Sequence, residues 1–229
     1  MKLRHGRVDI VLHERDAGRS DCLPLLLLHQ VGGSSADWPE RDESLGWPGP
    51  VHALDFAGHG ESAHVVGGGY YPEYHLADAD LALEAIGDRA AVAGAGGGAY
   101  VALLLAGARP DRVPAALLLP GRGLAGGGDA PEFSELDMPS FDEWEEQVSA
   151  DARRYRPGTD RGVSRCERDL RPLDYVKPFA EASNRLLLSR DLPVAEAPGW
   201  LRMAADAECS EMAPAGLGEG IRRLAKRTA

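Results

Sequence analysis

Three short stretches hold the residue types from which chemistry could be built. Leu25–Leu28 runs into His29-Gln30-Val31-Gly32-Gly33-Ser34-Ser35; Asp55-Phe56-Ala57-Gly58-His59-Gly60-Glu61-Ser62 follows; the third is Gly94-Ala95-Gly96-Gly97-Gly98-Ala99. Ser34, Ser35, Glu61 and His59 are candidates for proton transfer, because general acid–base catalysis needs one positioned group of suitable pKa rather than a full set of partners. The glycine stretch reads as G-x-G-x-x-A, a turn whose bare amides suit a pyrophosphate at a helix N-terminus. A dinucleotide site also needs an acid at the end of the next strand, about 20 residues on. The chain offers Leu119-Pro120-Gly121-Arg122 there, with no acid. The histidines are His5, His13, His29, His52, His59, His64 and His75, and none follows residue 75. Cys22, Cys166 and Cys209 are odd in number and irregularly spaced, so they read as free thiols rather than a disulfide framework or a zinc pattern.

The elements that must position these residues follow from periodicity. Leu23–His29 is apolar throughout, as a strand buried on both faces of a mostly parallel sheet would be. Val51–Phe56, Ala90–Ala93 and Val113–Leu119 repeat that pattern, and Val8–His13, followed by a polar break, reads as half of a hairpin. Between them, Leu76, Leu81, Leu83 and Ile86 after Pro72-Glu73, and then Tyr100 to Ala108, have helical spacing. Strands alternating with helices imply an α/β, doubly wound sheet. The 229 residues suffice for one sizeable domain. A net charge of −11 disfavours nucleic acid and anionic lipid. The basic C-terminal residues Arg222, Arg223, Lys226 and Arg227 read as cations opposing a helix dipole. No apolar run approaches the ~20 residues of a bilayer span, and no signal segment is expected at the N-terminus, so a cytoplasmic protein is expected. Gly123 to Ala152 holds nine acids and no Lys or Arg. Within it Ser140-Phe141-Asp142-Glu143 is a capping box, and Phe141, Trp144 and Val148 share one helix face. These acids lack a histidine companion and line a helix's wet side, so no metal site is expected.

The first stretch, continued to Asp37-Trp38, resembles the H-G-x-x-G-S-S-x-x-W oxyanion loop of α/β-hydrolases, and the second matches that superfamily's D-x-x-G-H-G-x-S turn. The third lies where the superfamily places its nucleophile elbow. The resemblance implies an eight-stranded, mostly parallel sheet over residues 1–122 and 172–229, with residues 123–171 inserted as a cap after the sixth strand. It also implies oxyanion donors at Val31 and Gly97, with Gln30 replacing the usual glycine beside them. The elbow pattern is G-x-S-x-G, and Gly96 stands at the nucleophile, a position it leaves vacant. A glycine can form no covalent intermediate. The family's histidine follows the last strand, where Leu217 stands, so that position is vacant too. For the acid, a seventh strand at Leu192–Ala197 would leave no Asp at its end, whereas one at Arg185–Ser189 would put Asp191 there; the Leu192-Pro193-Val194 opening favours the first. His29 and His59 read as props for the loop, and His75 as solvent-facing. Trp38, Tyr70, Tyr71 and Tyr100 are candidate pocket aromatics, with core packing favoured for Trp38 and Tyr100.

Three functions follow. The chain is expected to be a degenerate hydrolase, without cofactor, that binds a small molecule at Gln30, Val31, Gly97, Trp38 and Tyr100. Alternatively it is an active hydrolase, lyase or isomerase on a small carbonyl or ester compound, using displaced residues such as His59 and Ser35. A dinucleotide-binding protein is the third. Neither nucleic acid nor membrane is expected as a partner, and a homodimer is allowed.

Overall fold

A computed structural model describes residues 1–39, 45–87, 89–123, 145–146, 149–150, 152–167, 171–192 and 199–228. The described residues form one eight-stranded sheet in the order β1-β2-β4-β3-β5-β6-β7-β8. Its strands are β1 (Lys2–His5), β2 (Val8–Asp16), β3 (Leu25–Leu28), β4 (Val51–Asp55), β5 (Ala91–Ala95), β6 (Ala116–Leu119), β7 (Leu186–Ser189) and β8 (Ser210–Ala213). β1 and β2 join antiparallel, β2 is antiparallel to β4, and every later pair is parallel. The helices are α1 (Pro72–Ile86), α2 (Gly97–Ala108), α3 (Lys177–Ala182), α4 (Gly199–Ala205) and α5 (Leu217–Thr228).

The four leucines of β3 explain why the sheet is covered twice. Alternate side chains of a strand face opposite sides. Leu26 and Leu28 join the larger core with α1, α2, α3 and α4, while Leu25 and Leu27 join a second core with Ile221 and Leu224 of α5. α2 is apolar and buried around most of its circumference, which a helix needs if it lies between sheet and neighbouring helices. The chain passes from β3 outward to β4, then returns through α1 to β5 on the other side of β3. At such a switch point the loops beyond the strand ends diverge and leave a crevice, which is where ligands of open α/β sheets bind.

Several expected boundaries moved. β2 runs to Asp16 and finds its hairpin partner upstream, in Lys2–His5, around the positive-φ Gly6. α2 starts at Gly97 rather than Tyr100, because the turn at Gly96 feeds directly into it. The seventh strand is Leu186–Ser189, not Leu192–Ala197: four residues buried on both faces pair with β6 and β8, and Leu192 falls in the turn after them. Residues 193–198, the Ser140–Glu143 capping box and the Phe141/Trp144/Val148 face lie outside the described residues. Among the described residues no helix is long and apolar enough to cross a membrane.

Candidate functional site

The site is assembled from three loops, and Asp55 ties two of them together. It ends β4 and is almost fully buried. Its Oδ1 accepts the Ser35 N–H at 2.6 Å, and its Oδ2 accepts the Glu61 N–H at 2.9 Å and faces His13 Nε2 at 2.9 Å. Burial works to raise its pKa, but the Glu61 and Ser35 amides and His13 together hold it below the usual carboxylate value. Gly60, with φ +53°, lies so close that a Cβ there would meet this carboxyl group at 2.3 Å. Replacing Asp55 with Ala strands both amides, and about 3 kcal/mol of stability is expected to be lost in urea unfolding. Ser34 caps the 3-10 turn Ser35–Asp37: its Oγ accepts the Ala36 N–H, and Asp37 Oδ2 accepts the Ser34 N–H.

Behind these loops three imidazoles pack together. His29 and His59 have ring centroids 4.8 Å apart, and His59 and His75 5.5 Å. His29 donates from Nδ1 to Gln30 O (2.7 Å) and accepts the Phe56 N–H at Nε2 (3.2 Å). His59 donates from Nδ1 to Ala57 O (3.1 Å) and accepts the Gly32 N–H at Nε2 (3.0 Å). Both rings are therefore neutral props with both nitrogens engaged. Burial lowers the pKa of His29, and that of His59 well below the ordinary histidine value. His75 is not solvent-facing as its sequence position suggested. It is 4% exposed and stacks on Phe56 at 4.7 Å; burial pushes its pKa down to about 3, and its Nε2 is buried with no hydrogen-bond partner among the described residues. α1 turns this position inward because Asp78, one helical turn on, is drawn into the core by the Ala57 N–H. The three histidines line a cavity of about 10 Å³, room for one water molecule, together with Val31, Phe56, Gly97 and Cys166. Burial raises the Cys166 thiol to about 12, so it is inert as a nucleophile.

The third loop is the turn between β5 and α2. Gly96 there has φ +54° and ψ −119°, a conformation that L side chains rarely adopt. The space its side chain would enter is filled: a Cβ would meet Arg122 O at 2.1 Å and Gly121 C at 2.5 Å. The segment after β6 folds across the turn, and Gly121 and Gly123 permit the approach, since a Cβ on Gly121 would meet Gly96 N at 2.7 Å and one on Gly123 would meet Val31 Cγ2 at 2.5 Å. The Arg122 carbonyl accepts two N–H groups, from Gly97 at 2.8 Å and from Val31 at 3.2 Å. The Arg122 N–H is in turn donated to Gln30 Oε1 at 2.8 Å. Two convergent amides thus hold one carbonyl oxygen, and the chain itself supplies it.

The remaining candidates are placed as follows. Ser35 is buried on Asp55 and does not line the cavity. Trp38 belongs to the core on the α5 side, and Tyr100 is fully buried edge-on to Trp200 at 5.2 Å. Tyr70 donates its hydroxyl to Asp160, and Tyr71 is exposed. Leu217 packs against the α5-side core. Asp191 lies just beyond β7, and its Oδ2 accepts the Gly216 N–H at 2.6 Å, in the turn that leads into Leu217. Residues 152–167 lie across the first two loops: Arg156 N–H donates to Gly32 O, Asp160 N–H to Gly58 O, and Arg156 pairs with Asp37. Tyr155 covers Gly32, and Arg122 reaches its ring (5.7 Å) and donates to Arg154 O. Among the described residues no group of three His, Cys, Asp or Glu could hold a metal. Sequence reasoning missed Arg122, whose part is played by its backbone; the flanking Gly121 and Gly123 were the available signal.

No protein-family model and no curated protein matches this sequence. Solved structures do. A reconstructed ancestral haloalkane dehalogenase superposes with TM-score 0.70 at 17% identity, covering 99% of both chains. A thioesterase domain from the curacin biosynthetic pathway gives 0.65 at 16% identity, over 99% of this chain and 96% of that one. A hypothetical protein of Pseudomonas aeruginosa PAO1 gives 0.65 at 22% identity, over 99% and 96%. With the strand order and the β5–α2 turn described above, these likenesses identify the fold of the chain as the α/β-hydrolase fold.

Proposed function

We propose that the chain is a degenerate hydrolase of the esterase-like group that binds a small carbonyl compound without cleaving it. The observation that carries this is the Arg122 carbonyl on the Gly97 and Val31 amides, directly over a turn that bears no side chain. Carbonyl recognition needs only those backbone donors; cleavage needs in addition a nucleophile and a base. Position 96 has no reactive atom, Leu217 turns its side chain to the core, and Asp191 spends its carboxylate on the Gly216 amide. On this reading residues 123–171 are a cap, of which 152–167 already lie on the loops, and the protein works in the cytoplasm without a cofactor.

Displaced catalysis through His59 is less well supported, because a base needs a free lone pair and the Gly32 amide occupies it. A pyrophosphate at α2 would have to displace Gly121–Gly123 and take the Gly97 amide from Arg122. The test is a panel of activated esters, thioesters and lactones. Turnover is expected to match the buffer blank. Turnover above the blank that falls when Ser35 or His59 is changed to Ala would overturn the reading.

A further inference from the structure

Arg122 does more than close the site, since the two polar groups it presents are a sample of what the site accepts. Its carbonyl oxygen takes the two amides of Val31 and Gly97, and its own N–H, one carbon removed from that carbonyl, is taken by Gln30 Oε1. Two donors and one acceptor are thus spaced for the unit N–H, Cα, C=O. A simple ester or ketone would satisfy the donors and leave Gln30 Oε1 facing a group without a hydrogen. The adjoining cavity is incomplete as well, for His75, 4% exposed, lines it with an Nε2 that no group of the described chain satisfies. The present cavity has room for only one water, so a ligand must take Arg122's place rather than join it. The segment can yield: Pro120 and Gly121 are exposed and Arg122 is half-buried. It is held by the Arg154 carbonyl and the Tyr155 ring besides the three hydrogen bonds to its backbone.

We infer that the site takes an N-acyl-α-amino carbonyl compound, such as an N-acylated amino-acid ester, with residue 122 as its built-in stand-in. This rests on the carbonyl-binding reading above and adds the amide N–H that Gln30 selects. A tethered competitor acts at an effective concentration of about millimolar or more, so binding to the unaltered protein is weak until the segment is loosened.

The test follows the Val31 and Gly97 amide resonances of the ¹⁵N-labelled full chain. Arg122→Ala removes the side-chain anchors and keeps the backbone. In that variant N-acetylalanine methyl ester is expected to shift both amides and to bind about 10-fold more tightly than to the unaltered protein. Methyl O-acetyllactate, which replaces the N–H by oxygen, is expected to bind about 10-fold or more weakly than the amide, and Gln30→Met to erase that preference. Equal binding of the two compounds to the Arg122→Ala variant overturns the ligand class while leaving a carbonyl binder standing. Failure of both to move either amide at tens of millimolar overturns the inference. Ester turnover that depends on Ser35 or His59 overturns instead the non-catalytic reading and leaves the preference for the N–H intact.

Discussion

Lowering the pH from 7 to 5 is expected to destabilise the fold, read from urea unfolding at a series of pH values. His29, His59 and His75 are buried and neutral, each with its pKa pulled down by desolvation, to about 3 for His75. In the unfolded chain each takes up a proton near pH 6.5. Below that pH the unfolded state binds more protons, so stability is present above 6.5 and is lost as the pH falls, through a window that reaches about 3 for His75. For His75 alone the loss by pH 5 is about 2 kcal/mol, and the other two pull the same way. One buried acid opposes them. Burial raises Asp78 to about 6, against the Ala57 amide and His5, so its ionised form burdens the fold above that pH and the burden lifts between 6 and about 4. That returns roughly 1.5 kcal/mol by pH 5. His75→Phe is the sharper check. The ring stacks on Phe56 and its Nε2 has no partner among the described residues, so the change should be near neutral at pH 7.5 and should recover about 2 kcal/mol at pH 5. An unaltered pH profile in that variant would refute the account.

Gly96→Ala is expected to cost about 3 kcal/mol, against about 1 kcal/mol for Gly6→Ala. Both glycines have positive φ, +54° and +60°, so a side chain at either is strained. The difference is what the new methyl group meets: open space at Gly6, and Arg122 O at 2.1 Å at Gly96. Accommodating it means expelling the Gly121–Gly123 segment and losing its hydrogen bonds to Val31, Gly97 and Gln30. The same contact bears on placing a serine and a histidine in the chain by Gly96→Ser with Leu217→His. The serine would have to evict Arg122 first, and Leu217 belongs to the α5-side core rather than to the crevice. No esterase activity is expected from that pair of changes. Equal stability losses at Gly6 and Gly96 in thermal unfolding would mean that Arg122 is not over the turn.

Much of this was legible in residue order. A short uninterrupted apolar run such as Leu25–Leu28, bounded by turn residues, reads as a strand covered on both faces, and the glycines at 58, 60, 94, 96 and 98 mark places where the backbone turns or is closely approached. The Leu192-Pro193-Val194 opening points to a seventh strand at Leu192–Ala197, but pairing with β6 and β8 selects Leu186–Ser189 and so puts Asp191 at a strand end. The inward turn of His75 is not legible in the sequence, because a polar residue early in a helix says nothing about which side the sheet will cover.

What the chain determined by itself is local: strand and helix periods, the bare turn at Gly96, and the absence of any histidine beyond residue 75. These depend on neighbours in sequence, whose geometry short-range sterics and hydrophobic period dictate. Only the tertiary structure decided that residue 122, 26 positions after the turn, lays its carbonyl on the amides of Gly97 and Val31, because a backbone acceptor carries no side-chain signature. It also decided that the lone pair of His59 is taken by the amide of Gly32, on another loop.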